Sequence, residues 1–413
     1  MANTTVPASV AAAHRPVWLV VISAAVIVAI AMGLRQVMGL YLKPMTLSLG
    51  LGREIFGLMM AIANLVWGIG APFAGAFGDK FGTGKVVALG AIMTICGLIL
   101  MQSATSELYL MVSGILLGLG VAGTGITVLV GAAGRAAPPD KRTSAIATIG
   151  MGSGIGVLVA VPYTHVLIET MGWNASLLVL AATACVMIPL AMAMPGGASE
   201  TSGEKPQSLS EALGEAFRHP SFWLLVAGFF VCGFHVSFYA VHLPAFITDK
   251  GLPSEVAMWA LVVVGVGNIL GTWLAGKSAR IIQKRISLSC IYIGRAFIFL
   301  GILLLPTTVE TVLIFSGLLG ILWLSTVPLT SSMVATFFGP VWMSMLFGIV
   351  FLSHQLGSFL GVWLAGRIFD QYQSYDMVWM ISIGLGIFAA LVHWPIREEP
   401  VARLKSSAGT ASA

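Results

Sequence analysis

Apolar residues run in blocks of about twenty, separated by short clusters of charged, Pro, Gly or Asn residues, and this long-period alternation dominates the chain. Such runs match the roughly 20 residues a helix needs to cross hydrocarbon, whereas a β-barrel would show roughly ten-residue segments of alternating polarity. Reading from break to break predicts twelve spans, near residues 16–42, 54–76, 85–104, 108–132, 143–168, 174–194, 221–247, 256–276, 287–306, 311–335, 341–366 and 375–396. The first is too long and too weakly flanked for a cleaved signal peptide and is kept as a span. Lipid offers backbone polar groups no partner, so the expected class is an all-α integral membrane protein.

The longest polar interruption, from about Pro195 to Pro220, divides the spans six and six. The expected organisation is an N-terminal six-helix half (1–194), a linker (195–220), a C-terminal half (221–396) and a tail (397–413). Ser208 and Glu211 have capping-box spacing, which predicts a short amphipathic helix from Ser208 to Arg218. Trp273-Leu274-Ala275-Gly276 recurs as Trp363-Leu364-Ala365-Gly366 at equivalent places in two consecutive three-helix units, as an inverted repeat would. Close-spaced glycines, Gly114 to Gly125 in span four and Gly150 to Gly156 in span five, permit close helix approach and bending.

Composition agrees: 58% of the 413 residues are hydrophobic and 9% charged, with a mean hydropathy of +0.96, against about 25% charged in soluble domains. With the N-terminus inside, inner segments hold Arg15, Lys80, Lys85, Arg135, Lys141, Arg142, Lys205, Arg218, Lys277, Arg280, Lys284, Arg285, Arg397, Arg403 and Lys405. Outer segments hold only Lys43, Arg53, Lys250 and Arg367, while Arg35 and Arg295 fall within spans. Fifteen against four predicts cytoplasmic termini. The net charge of +5 is therefore a topology signal and gives no reason to expect a nucleic-acid partner. Cys96, Cys185, Cys232 and Cys290 lie within spans without metal or CxxC spacing, and free core thiols are expected.

Between spans two and three stands Gly75-Ala76-Phe77-Gly78-Asp79-Lys80-Phe81-Gly82-Thr83-Gly84-Lys85. Its Gly75, Asp79, Gly82 and Lys85 resemble the loop between helices two and three of the major facilitator superfamily, and with twelve spans and a central linker the resemblance covers nearly the whole chain. Arg142 after Pro138-Pro139-Asp140, the glycine ladder with Pro162, and Gly172-Trp173 look like the branch of bacterial monocarboxylate and oxalate/formate-type carriers. Two departures stand out. The equivalent loop after span eight, Gly276 to Arg285, has no acid where Asp79 stands, and the aromatic, acidic signature of eukaryotic-type monocarboxylate carriers is missing from helix one. The resemblance implies a secondary carrier without cofactor, not an enzyme, working as a monomer in a cell membrane, a bacterial inner membrane, by rocking its halves about a midplane site. Gly75, Asp79, Lys80, Gly82, Lys85 and Arg142 would then gate it.

An ionisable group in a span costs about 2.5–3.5 kcal/mol on insertion scales, so each one retained is a candidate for function. Arg35, beside Gln36 and between Gly33 and Gly39, is the sharpest: a guanidinium grips a carboxylate through parallel hydrogen bonds, which points to a small organic anion. The alternative is snorkelling to the surface. Arg295 is expected to snorkel to the inner interface. His235, Tyr239 and His242, at i, i+4 and i+7, share a helical face, and His354-Gln355 forms a second patch. Histidine titrates near neutral pH, so a proton is the expected coupling ion. Asn64 with Trp67, Asn268, and Thr326 near Pro328 complete the substrate-binding candidates, each of which can equally join helices. The expected function is alternating-access transport of a monocarboxylate or related anion; drug efflux and a sensor without flux are the alternatives.

Overall fold

One glycine decides the number of helices. In the computed structural model, which describes residues 16–136, 142–194, 208–279, 281–339 and 342–404, eleven described helical stretches are long and apolar enough to cross a membrane. The stretch containing spans five and six is interrupted at Gly172, whose φ of 79° and ψ of 165° are not helical. Glycine reaches this region at little steric cost. The interruption turns eleven into twelve, at the place where the hydrophobic blocks divide.

The helices are α1 (Val17–Gln36), α2 (Leu42–Leu49), α3 (Arg53–Phe81), α4 (Thr83–Gln102), α5 (Glu107–Thr124), α6 (Ile126–Ala136), α7 (Arg142–Cys185) and α8 (Met187–Ala191) in the first half of the chain. Then come α9 (Leu209–Phe217), α10 (Pro220–Asp249), α11 (Ser254–Ser278), α12 (Lys284–Leu304), α13 (Val309–Ile321), α14 (Thr326–Phe338), α15 (Met343–Tyr372) and α16 (Asp376–His393). A 3₁₀ stretch, Val37–Tyr41, joins α1 to α2. Among the described residues there is no strand. The Ser208–Glu211 capping box forms as predicted and starts α9; its exposed carboxylate, bonded to the Ser208 backbone and hydroxyl, is held below the usual carboxylate range.

Large apolar side chains such as Phe297, Ile314, Leu391 and Val159 lie exposed around the bundle, as a surface covered by hydrocarbon requires. Cys96, Cys185 and Cys290 belong to this surface, and only Cys232 is in the core, contrary to the expectation for all four. In contrast, α10 is buried on nearly every face.

Two spans break inside the membrane. Span four divides at Gly125, with extended backbone at φ −75° and ψ 170° between α5 and α6, and span ten divides at Leu322–Ser325 between α13 and α14. These are equivalent places in the two sets of six spans. Broken helices are tolerated in hydrocarbon only where protein groups satisfy the freed backbone.

The first and last six spans meet chiefly where α3 packs on α15, with further contacts of α10 on the 3₁₀ stretch and α7 on α11. Glycine sets the closeness of the main seam. A Cβ on Gly57 would stand 2.8 Å from the Val362 carbonyl, and one on Gly366 2.5 Å from that of Arg53. The seam persists to Gly68, which faces Gln355. Beyond it, Cβ atoms on Gly75, Gly150, Gly276 or Gly348 would meet nothing within 4 Å. The seam between the halves is close at the end away from the described C-terminal residues, and at the other end these four glycines face open space.

Candidate anion site and the clasp that closes over it

Arg35 occupies the last turn of α1, just before the helix tightens into the 3₁₀ stretch. Its Nη2 donates to Asn64 Oδ1 of α3 at 3.0 Å, and its guanidinium carbon lies 4.8 Å from the centroid of the Trp67 ring. The i, i+3 spacing of Asn64 and Trp67 therefore works as read: both face Arg35. Arg35 Nε and Asn64 Nδ2 are buried N–H donors with no partner. Among the described residues no carboxylate pairs with Arg35.

The second half of the chain contributes α15. Gln355 donates from Nε2 to the Asn64 carbonyl at 2.9 Å, and its Oε1 lies 3.0 Å from His354 Nδ1. Phe351 meets Trp67 edge-on at 5.3 Å and stacks on the His354 ring at 5.7 Å. Arg35, Asn64, Trp67, His354 and Gln355, five of the sequence candidates, thus form one cluster joining α1, α3 and α15, with Gln36 buried beside it. Trp67 Nε1 is also 3.7 Å from where a Cβ would stand on Gly125, at the break of span four. Unfilled donors around one half-buried cation, with aromatic walls, suit a single carboxylate.

The other candidates are bonded elsewhere. His235 Nε2 contacts the Ser382 carbonyl at 2.9 Å, and Tyr239 shares a 2.9 Å hydrogen bond with Ser316. His242 contacts Val362 O through Nε2 at 2.9 Å and the Tyr375 hydroxyl through Nδ1 at 3.0 Å. Asn268 Oδ1 accepts from Leu324 N at 3.1 Å, and Thr326 is 3.2 Å from Cys232 Sγ. None of these contacts includes a member of the Arg35 cluster.

Arg295 corrects the sequence reading. It does not snorkel: its side chain is fully buried, and Nη2 donates to the Leu322 and Trp323 carbonyls, with Nε also reaching Leu322 O at 3.2 Å. These carbonyls are freed by the break in span ten, so the arginine is the C-terminal cap of α13 and Asn268 takes the exposed Leu324 N–H.

At the tight end, charged groups from both halves interlock. Arg53 holds Asp249 by Nη1 at 2.6 Å and Nη2 at 2.9 Å, donates to Tyr375 Oη at 2.8 Å and covers the Phe369 ring at 3.6 Å. Lys43 reaches the same Asp249 at 2.9 Å. Asp370 accepts the Arg53 and Glu54 backbone N–H groups at 2.9 and 2.7 Å, a carboxylate seated on the N-terminus of α3. Glu54 in turn meets Trp363 Nε1 at 3.0 Å and Arg367 at 3.7 Å. The sequence reading counted Lys43, Arg53 and Arg367 for topology only; that three of the four cations on that side fall near span ends was the available signal.

In the loop motif, Gly82 adopts φ 101° and caps the turn from α3 to α4, which explains a glycine there. Gly75 faces open space, Lys80 lies over the Phe81 ring at 5.3 Å and Lys85 is exposed. The side chains of Asp79 and Arg142 lie outside the described residues. The acid missing after span eight arrives from the tail: Glu398 meets Lys284 at 3.6 Å and accepts from Arg285 N at 2.8 Å. Among the described residues no three His, Cys, Asp or Glu side chains converge as a metal site would need.

Comparison with known proteins follows the same lines. The sequence profile of the Major Facilitator Superfamily matches residues 22–362. Monocarboxylate transporter 11 of Mus musculus is 24% identical over 378 residues, spanning 88% of this chain and 83% of its own. The oxalate:formate antiporter of Oxalobacter formigenes is 25% identical over 227 residues, 52% of each. A crystal structure of a bacterial homolog of the human lysosomal transporter Spinster, inward-facing and unoccupied, shares the fold with a TM-score of 0.76 at 16% identity, over 91% of this chain and 96% of that one.

Proposed function

We propose a carrier of small organic anions, from the premise that the chain belongs to the Major Facilitator Superfamily. One observation carries the reading: Arg35 is a cation at the seam of the two halves with no acid partner among the described residues, and it keeps an unfilled buried donor beside a second one on Asn64. A carboxylate fills both and neutralises the charge, which water or an uncharged amphiphile does less well. The names of the mouse and Oxalobacter relatives, for monocarboxylates and for oxalate and formate, lean the same way.

The lysine and arginine bias assigns the termini and the 195–220 linker to the cytoplasm. On that assignment the clasp faces outward and the opposite end faces the cell, an inward-open state in a bacterial inner membrane. Halves 1–194 and 221–396 rock about the Arg35 cluster, with the tail 397–413 inside. The anion joins Arg35 and Asn64 of the first half while Gln355 ties that site to α15 of the second, so occupancy bears on the seam. The loop from Gly75 to Lys85, with Asp79 and Arg142, closes the inner end in the opposite state. A proton gradient drives accumulation, and the protein works as a monomer.

The test is thermal stabilisation of purified protein across a panel of organic acids, followed by uptake of labelled hits into proteoliposomes. Wild type is expected to be stabilised and to accumulate the hit under an inward proton gradient, and Arg35→Ala to do neither. Uptake unchanged in Arg35→Ala, or movement of cationic drugs alone, overturns the anion reading in favour of drug efflux. Binding without flux identifies a sensor.

A further inference from the structure

We propose that His242 is the proton-accepting site of the outer clasp, taking a proton from the outer solution only while the Arg53–Asp249–Tyr375 clasp is parted and thereby setting how far that end stands open at a given pH. The proposal rests on the carrier reading for its place in a cycle, but its geometry belongs to the clasp alone.

Hydrogen-bond direction can be assigned at every atom. A carbonyl has no proton to give, so the contact of His242 Nε2 with Val362 O requires Nε2–H. A guanidinium only donates, so Tyr375 Oη accepts from Arg53 Nη1. The arrangement that satisfies every group points the hydroxyl proton of Tyr375 at a bare His242 Nδ1, 3.0 Å away. The relay reads Arg53 N–H to Tyr375 O–H to His242 Nδ1, with His242 Nε2–H to the backbone. Every ring position is used, and the imidazole is neutral.

A proton can be added only at Nδ1. The Tyr375 hydroxyl would then lose its acceptor, and N–H groups from two cations would converge on one oxygen. The surroundings oppose the extra charge too. The ionisable groups that face this corner are Lys43 from α2, Arg53 from α3, Asp249 at the end of α10 itself, Asp370 from α15 and Tyr375 ahead of α16. Lys43 and Arg53 already balance Asp249 and Asp370, while Glu54 is matched by Arg367. Tyr41 of the 3₁₀ stretch is taken up by Ser176. A charged His242 would be the unbalanced member, separated from Arg53 by a single hydroxyl.

Parting the clasp reverses these conditions. Arg53 leaves with α3 and the first half, Tyr375 Oη loses its donor, and the hydroxyl oxygen becomes free to accept from a protonated Nδ1. Water entering at the parted end supplies the proton. Protonation and clasp closure therefore exclude one another, so a proton taken from the outer solution holds the outer end open and returns to that solution before the clasp re-forms, and no net proton crosses by way of His242.

The experiment reads clasp opening directly. Leu47 on α2 and Tyr372 on α15 are exposed on opposite halves near the clasp, and Leu47→Cys with Tyr372→Cys, in a background lacking the exposed native cysteines, carry spin labels for distance measurement. In nanodiscs without substrate, lowering the pH from about 8 to about 5 should move population to the longer, parted distance. In His242→Gln, which keeps one donor and one acceptor but does not titrate, the distribution should be the same at both pH values. A pH response of wild-type size in His242→Gln, or no response in wild type, overturns the proposal. Flux separates this from the anion reading. In proteoliposomes His242→Gln should retain exchange of a labelled acid but lose the dependence of its rate on outer pH that wild type shows. If the labels respond to pH through His242 while no acid moves in any variant, the anion reading fails and the proton site stands. An outer-pH dependence of exchange in His242→Gln equal to that of wild type overturns the proton site and leaves the anion reading intact.

Discussion

Arg35 and Arg295 are both arginines inside the membrane with no carboxylate partner among the described residues, and they do opposite things. Around Arg295 the break in span ten turns two carbonyls toward the guanidinium, so a partial negative charge is built into the fold. Around Arg35 the fold supplies one amide oxygen and the face of an indole, and leaves Nε empty. The lesson is that burial of a cation does not by itself mark a binding site. Each arginine keeps one buried N–H without a partner, Nε of Arg35 and Nη1 of Arg295, so what separates them is that two carbonyls already face Arg295 and a single amide oxygen faces Arg35.

The sharpest way to break the comparison is to give Arg35 the partner it lacks. Asn64→Asp places a carboxylate where Asn64 Oδ1 now accepts from Nη2; anion binding should fall by about 100-fold or more, since two charge-assisted bonds of roughly 1.5–3 kcal/mol each are pre-empted. Melting temperature without ligand should hold or rise, and calorimetric titration with a panel hit reads the binding loss. Arg35→Ala should match it in binding but leave ligand-free stability near wild type. Next in size, Arg295→Met removes the cap from two buried carbonyls and should cost on the order of 3 kcal/mol of stability, seen as a lower melting temperature in detergent, with the affinity of whatever protein remains folded unchanged. If Arg295→Met instead spares the fold and abolishes binding, the two arginines have been assigned the wrong way round. Asn64→Ala removes one orphan donor and should weaken binding by about tenfold, or about 1.4 kcal/mol. The smallest change is expected from Trp67→Leu: loss of the ring beneath the guanidinium should weaken binding about two- to fivefold, consistent with a partly exposed cation–π contact of ~0.5–1 kcal/mol.

Clasp and loop motif form a second contrast, between charges that interlock and charges that do not. At the clasp, acids and bases distant in sequence are paired or seated on a helix end, whereas Lys80 and Lys85 of the loop motif are exposed at the other end of the bundle. The Gly75–Lys85 pattern was readable because its residues are contiguous. The clasp was not: Arg53 meets Asp370 across 317 positions, and nothing local announces it.

The same distinction explains which site residues were legible. Asn64 and Trp67 were placed on a common face by their spacing, and Arg35 stood out by cost, so the centre of the site could be read. His235 and His242 were correctly placed on one face of α10, yet that face turns toward α15 and α16. An amphipathic pattern shows which face is buried only when another is not, and α10 is buried nearly all round. Arg295 was misread because distance from the span end suggested snorkelling, and only a helix break on a neighbouring span gives it carbonyls to hold.

The sequence by itself determined the number of spans, their helical class, the six-and-six division and the superfamily, because hydrocarbon thickness and the cost of bare backbone act on each stretch of chain independently. Tertiary structure alone decided which polar groups were satisfied and which left open. That depends on pairing between segments hundreds of residues apart, where a carbonyl freed by a break or a carboxylate on a facing helix turns one arginine into a cap, another into a clasp, and leaves a third unfilled.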